Sequence, residues 1–371
     1  MEEWISVPAI SRGASGTGGK SAAPFATSLR GVPKMRIAVI GCGSIGKRHI
    51  QNLKALGVKD LVACDVRADR RNEVAERFGL AQTYEDYQGA LSDGANAAFV
   101  CTPPVFHMPA AMAAARAGCH LFIEKPLSST LEGVDELLSL CEERRLLVMT
   151  GYNMRFWAPI VQIKALIQAG RIGRVLTGRV GMSGYLPDFH PSEGPREYFM
   201  FQKALGGGAL LDMSHGIDFM CWFLGRIEAV SAFHERVGGL EMDADDTTLL
   251  LARFTSGALV DFHFDLLGRA PRKSCEVIGE QGTITWDTVS HEVRAYDAQT
   301  ARWTATSCEV AYNEVYLAEL RHFLECLAQG KTPMVTGADG KHALEVIEAA
   351  RRSAQEGRVI QLASTAAAAV R

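Results

Sequence analysis

The chain has 371 residues, with 39 basic and 42 acidic side chains for a formal net charge of -3; 47% of its residues are hydrophobic and 22% charged. That is ordinary globular composition, which excludes a disordered chain, a coiled coil and a collagen-like repeat. The lack of a basic excess argues against nucleic acid as a main partner, and the length is enough for two domains, each with its own core.

Residues 1–34 are rich in Ser, Gly, Ala and Pro without periodicity, which predicts a disordered extension, and Met35 stands before the first convincing strand as a second candidate start. Glu2 and Glu3 occupy the place where a secretory signal carries positive charge. The nine cysteines are spaced singly with no CxxC pair, the usage of reduced thiols in a cytoplasmic protein rather than of a zinc ribbon or a disulfide framework. The uncharged stretch Ala95 to Ala115 is long enough to span a bilayer, but Pro103, Pro104 and Pro109 make it a strand, a loop and a helix instead. No membrane partner is expected.

From Met35 onward, strands alternate with helices. Ile37–Ile40 is a strand ending at Gly41, followed by a helix through Leu56. Leu61–Cys64 is the next strand, ending at Asp65, with a helix through Phe78. Then come the run Ala97–Cys101, a helix over 107–117, the strand Leu121–Ile123, a helix with Val134, Leu137, Leu138 and Cys141 on one face, and the run Leu146–Met149. This alternation implies parallel pairing and a doubly wound Rossmann domain over 35–152. Beyond a helix at 158–169 the texture changes to β-like runs at 174–182, 227–237, 246–254, 258–266, 274–279 and 282–287. Helices are expected at 209–224, 314–329 and 339–355. The fold class is α/β: the Rossmann domain plus an α+β domain over 153–362 with a largely antiparallel open sheet, and a loose tail over 363–371.

Gly41-Cys-Gly43-Ser44-Ile45-Gly46 is a G-x-G-x-x-G run between a strand and a helix. Asp65 ends the second strand 22 positions after Gly43, close to the spacing of about 20 that suits a dinucleotide site. Gly41 permits the tight turn, Gly43 lets a pyrophosphate approach, Gly46 allows close helix packing, and the helix N-terminus supplies N–H groups. Asp65 would accept from ribose hydroxyls and repel a 2′-phosphate, which favours NAD; Arg67, Arg70 and Arg71 nearby leave NADP open.

After the third strand stand Thr102-Pro103-Pro104 and His107, then Glu124-Lys125-Pro126, then Gly151-Tyr-Asn-Met-Arg155-Phe156. With these motifs in this order the chain resembles the Gfo/Idh/MocA oxidoreductases over about 35–362. The resemblance implies NAD(P)-dependent hydride transfer to or from a secondary hydroxyl of a sugar, cyclitol or nucleotide-sugar. It implies a homodimer or homotetramer formed through the open sheet of the second domain. Residue by residue, it places Lys125 as the active-site lysine with Glu124 and Pro126 setting its position. It places Thr102, Pro103 and His107 along the nicotinamide half, and Arg155 near the cofactor and the domain junction.

In the second domain, Gly206-Gly-Gly208-Ala-Leu-Leu-Asp212-Met-Ser-His215-Gly-Ile-Asp218 resembles the family's substrate-side motif. His215 matches its catalytic histidine. Many relatives place the aspartate four residues before it, whereas Asp212 is three before. On one helix, Asp212 and His215 would be i,i+3 neighbours, so the carboxylate could orient the imidazole. Tyr185, Asp188, His190 and Arg196 belong to a polar, aromatic loop ahead of that helix and are the candidate substrate contacts, with an oligomer contact or a plain surface loop as the alternatives. Asp261, His263 and Asp265 share one strand face but lie about 7 Å apart, too far for one ion, so they read as a solvated face and no metal is expected. Two other functions stay open: a redox-neutral enzyme that uses NAD transiently, as NAD-dependent glycosidases do, and a sugar sensor without catalysis.

Overall fold

Short buried runs of Val, Ile, Ala and Phe make the first sheet. The structure, a computed structural model, describes residues 35–190, 194–195 and 197–363; the predicted N-terminal extension, Arg196 and most of the tail lie outside them. Strands β1 Arg36–Ile40, β2 Asp60–Cys64, β3 Thr83–Tyr84, β4 Ala97–Val100, β5 His120–Glu124 and β6 Val148–Gly151 pair in the order β3-β2-β1-β4-β5-β6, all parallel. Ile37, Ala38, Val39, Phe99 and Phe122 are fully buried, as strands covered on both faces must be. The crossovers are α1 Ser44–Ala55, α2 Ala68–Phe78, α3 Tyr87–Ser92, α4 His107–Arg116 and α5 Val134–Glu143. The strand order reverses between β1 and β4, so their carboxyl ends open the crevice where doubly wound folds bind ligands.

A turn of 3-10 helix, Asn153–Phe156, leads into α6 Ala158–Gln168 and then β7 Val175–Tyr185. Helices α7 Ala209–Asp212 and α8 His215–Leu224 precede a run of seven strands. They are β8 Ile227–Glu235, β9 Thr247–Phe254, β10 Leu259–Asp265, β11 Leu267–Gly279, β12 Gly282–Asp287, β13 Glu292–Asp297 and β14 Arg302–Ser307. Helices α9 Tyr312–Gln329 and α10 Gly337–Glu356 and the short β15 Ile360–Gln361 complete the order. The second sheet runs β14-β13-β12-β11-β7-β10-β9-β8-β15, antiparallel except where β7 and β10 lie parallel. Val260, Phe262 and Phe264 turn inward under α8, while Leu259 and His263 face out.

Four expectations need correction. The helix expected over 209–224 is broken at Met213 and Ser214. The Asp212 carbonyl accepts from Lys125 Nζ at 2.9 Å, and the Gly216 amide bonds Met213 instead, so one helical rung is missing. Asp265 is not part of a solvated face: it is 8% exposed and accepts from the Leu267 and Gly268 amides and from Ser183, closing the turn into β11. Strands β13 and β14 lie outside the expected runs: Arg302–Ser307 is exposed along its whole length and β13 buries little beyond Val293, so neither forms an apolar run. The small β3 and α3 were passed over for a similar reason: they are two and six residues long.

Candidate active site and cofactor cleft

The glycine loop is shaped by its neighbours. Gly41 has φ +100° and a Cβ there would meet the Cys101 carbonyl at 2.7 Å; a Cβ on Gly46 would fall 1.9 Å from the Gly41 oxygen. Both positions are closed to any side chain by the fold itself. Gly43 differs: a Cβ there would meet only Arg70 Nη1, at 3.7 Å, so the space over it is open. Its role is therefore to leave room for something the chain does not supply. Ser44, Ile45 and Gly46 open α1 and present its first amides.

Asp65 is 8% exposed at the end of β2. Its Oδ2 accepts from the Cys42 amide at 2.7 Å and its Oδ1 from the Arg67 amide at 2.9 Å. These bonds fix the carboxylate against the loop and leave lone pairs on both oxygens for ribose hydroxyls. The next residue, Val66, is 80% exposed, an apolar surface at the rim that suits a flat base and that sequence reasoning passed over. The three arginines separate in space. The Arg67 side chain pairs with Asp69, and Arg71 donates to the Asp65 carbonyl at 2.7 Å. Arg70 alone reaches across toward Gly43.

At the end of β5, Lys125 turns into the crevice, and its ammonium donates to Asp212 Oδ1 at 2.5 Å. Glu124 faces the other way: Oε1 lies 2.6 Å from His49 Nε2 and Oε2 accepts the Lys125 amide at 3.1 Å. The tie between His49 and the Glu-Lys-Pro turn crosses 75 positions and has no local sequence signal. His107 stands with Nδ1 2.9 Å from the Pro126 carbonyl and Nε2 2.7 Å from the Thr102 carbonyl. It clamps the two loops that carry Thr102-Pro103 and Lys125-Pro126, so its nitrogens are committed to backbone.

Asp212 was expected to orient His215; its carboxylate goes to Lys125 instead, because the break after α7 turns the two side chains apart. His215 Nδ1 is buried without a partner, and the ring lies edge-on to Tyr152 with centroids 5.5 Å apart. Burial, followed by the Lys125 and Lys273 ammoniums, holds the His215 pKa well below the ordinary imidazole value. The ring is therefore neutral near pH 7. Lys273 was not foreseen. On β11 it pairs in register with Met182, on the same inward face as buried Cys275 and Val277, and its ammonium lies 5.8 Å from the Trp157 ring centroid.

The resemblance places Arg155 near the cofactor and the domain junction. It lies almost wholly buried, with Nε and Nη2 bidentate on Asp218 at 2.9 and 2.7 Å, Nη1 on the Met334 carbonyl and Nη2 also on Asp339. Its donors join α8 to the start of α10, which is a structural task. Among the candidate substrate residues, Tyr185 lies under the Arg269 guanidinium at 3.5 Å and His190 packs on Tyr198 with centroids 4.4 Å apart. Asp188 ends the 3-10 turn Leu186–Asp188. The same stretch of chain brings Phe199 and Met200 beside Lys125 and Asp212.

Residues 35–152 match the family model described as oxidoreductase family, NAD-binding Rossmann fold, and residues 160–285 match the GFO/IDH/MocA C-terminal domain. The chain belongs to the Gfo/Idh/MocA family. It is 32% identical to a myo-inositol 2-dehydrogenase of Thermotoga maritima, over 88% of this chain and 98% of that one. It is 31% identical to a scyllo-inositol 2-dehydrogenase (NAD(+)) of Bacillus subtilis, over 89% and 96%. A solved levoglucosan dehydrogenase in complex with NADH superposes with TM-score 0.80 at 24% identity, over 89% of this chain and 99% of that one. This Gfo/Idh/MocA protein is thus an NAD-dependent oxidoreductase, and its open Gly43, held Asp65 and exposed Val66 fit that cofactor. Among the described residues no helix is long and apolar enough to cross a membrane.

Proposed function

We propose that the protein is a dehydrogenase of cyclitol or sugar secondary hydroxyls in which Lys125 and His215 carry the chemistry and Asp212 aims Lys125. The observation that supports this reading is the Lys125 ammonium, locked on Asp212 at 2.5 Å, with its charge near enough to His215 to help hold that ring neutral. The Lys125 ammonium donates to the substrate oxygen and stabilises charge building on it. His215 takes the hydroxyl proton as the carbonyl forms, and returns it in the reverse direction. Bound NAD supplies the hydride acceptor, held by the amides of Ser44, Ile45 and Gly46, by Asp65 and along Thr102 and Pro103. The inositol dehydrogenases named above make cyclitols the first substrates to try. Tyr185, Asp188, His190 and Arg196 are assigned to the substrate side.

Nine free cysteines support a reducing, cytoplasmic setting. The outer face of the second sheet supports a homo-oligomer: Phe233, Leu249, Leu251 and Leu259 are 71%, 42%, 62% and 53% exposed on adjacent strands β8, β9 and β10. Apolar side chains clustered on one sheet face mark an association surface. Leu251→Glu should lower the mass measured by light scattering, and an unchanged mass would remove this face from the assembly.

The decisive assay incubates the protein with NAD and a panel of inositols, sugars and nucleotide-sugars while following NADH absorbance. Activity that Lys125→Met lowers by at least about 1,000-fold supports the assignment. A silent panel with NAD firmly bound would turn attention to a redox-neutral reaction.

A further inference from the structure

Glu319 lies in the middle of α9, fully buried, and neither of its carboxyl oxygens has a hydrogen-bond partner. An ionised carboxylate cannot rest there, since nothing replaces the water it has lost. Burial raises its pKa well above the carboxylate range, and the nearby charges of Glu124 and Asp218 raise it further. Glu319 is therefore a neutral acid with an O–H to give.

A second orphan lies in the shell of rings that this part of α9 packs against. Tyr316, Glu319 and Phe323 stand at i, i+3 and i+7, on one side of the helix. The Tyr316 ring lies 6.2 Å from the His49 ring; Phe323 packs on Phe99 and Phe122 at 5.2 and 5.6 Å, and these two rings flank His49 at 5.7 and 5.2 Å. The residue between Tyr316 and Phe323 thus points at the shell around His49. His49 is fully buried, and its Nδ1 also has no partner. Asn52 and Asn313 exchange hydrogen bonds of 3.2 and 2.9 Å just beyond, which keeps α1 and α9 in register.

We propose that Glu319 is a positioning residue for Lys125: it donates to His49 Nδ1 through one buried water. The donation leaves the His49 proton on Nε2, where it goes to Glu124 Oε1 at 2.6 Å. Glu124 receives the Lys125 amide on Oε2 at 3.1 Å. The chain of bonds runs acid, water, imidazole, carboxylate, amide, and it sets the turn that aims Lys125 at Asp212. None of its first four members touches substrate. The proposal rests on the reading of Lys125 as catalytic.

The test uses the whole protein labelled with 15N-histidine, together with steady-state kinetics of Glu319→Gln and Glu319→Leu. The wild-type spectrum should show His49 protonated on Nε2, with Nδ1 shifted as a hydrogen-bond acceptor. Glu319→Gln keeps a donor and should hold kcat within about twofold, whereas Glu319→Leu should lower kcat about tenfold by letting Lys125 drift, with KM for NAD unchanged. In Glu319→Leu the Nδ1 signal should move to the position of an unbonded ring nitrogen. A wild-type Nδ1 that is already unbonded, or protonated, overturns the proposal even if the leucine variant fails to fold. So does a folded leucine variant with wild-type kcat. If Lys125→Met leaves turnover intact, the catalytic reading fails by itself, because the His49 spectrum needs no turnover.

Discussion

Gly43 and Gly46 lie three residues apart in one motif, yet the structure assigns them opposite consequences. At Gly43 the backbone has φ -69° and ψ -169°, which any residue can adopt, and an added Cβ meets only the Arg70 guanidinium at ordinary contact distance. Gly43→Ala should leave the fold intact and even stabilise it by about 0.4–1 kcal/mol through the unfolded chain. The methyl fills the space over the loop, so we expect the Kd for NAD to rise at least about 100-fold, or about 2.7 kcal/mol. At Gly46 the new Cβ would sit 1.9 Å from the Gly41 carbonyl, a backbone atom that no rotamer change can move. Gly46→Ala should cost about 1–3 kcal/mol or more of stability and lower the melting temperature by roughly 1–4 °C in a chain of this size. Thermal melts with and without NAD separate the two. At 100 times its Kd, NAD stabilises the native chain by about 2.7 kcal/mol; the same concentration gives Gly43→Ala only about 0.4 kcal/mol. A Gly43→Ala protein that keeps the full NAD-induced shift would refute the assignment of that open space to the cofactor.

Two further outcomes follow from the charges around the site. The His215 pKa is lowered first by burial and then by Lys125 and Lys273, so the acid limb of kcat, where the base becomes protonated, should lie below about 6.5, the value for a free imidazole. Lys273→Met removes one lowering charge and should move that limb to higher pH; a limb that stays in place would mean Lys273 does not act on His215. Asp218→Asn should destabilise the protein by about 3–5 kcal/mol in urea unfolding, because it leaves the buried Arg155 guanidinium short of its main counter-charge. An effect below about 1 kcal/mol would show that Asp339 and the Met334 carbonyl suffice.

Much of the fold is written locally. Ile37–Ile40 and Ala97–Cys101 read as strands because buried parallel strands are short apolar runs. Gly41, Gly43, Gly46 and Asp65 read as a cofactor loop because close approach and ribose contact need those residue types at that spacing. Lys125 and His215 are legible as candidates from the motifs around them. What the sequence did not disclose depends on distance along the chain. Asp212 is three residues from His215 but bonds Lys125, 87 positions away, and only the break in the helix decides between them. Arg155 looks like a cofactor arginine until Asp218 and Asp339 arrive from α8 and α10 and take its donors. His49 and Lys273 have no local signature at all, since α1 and β11 meet the site only through sheet order and register. A periodic pattern or a turn residue reports on neighbours within a few positions. The partner of a buried charge is set by which elements pack together, and that is fixed only when the tertiary structure closes.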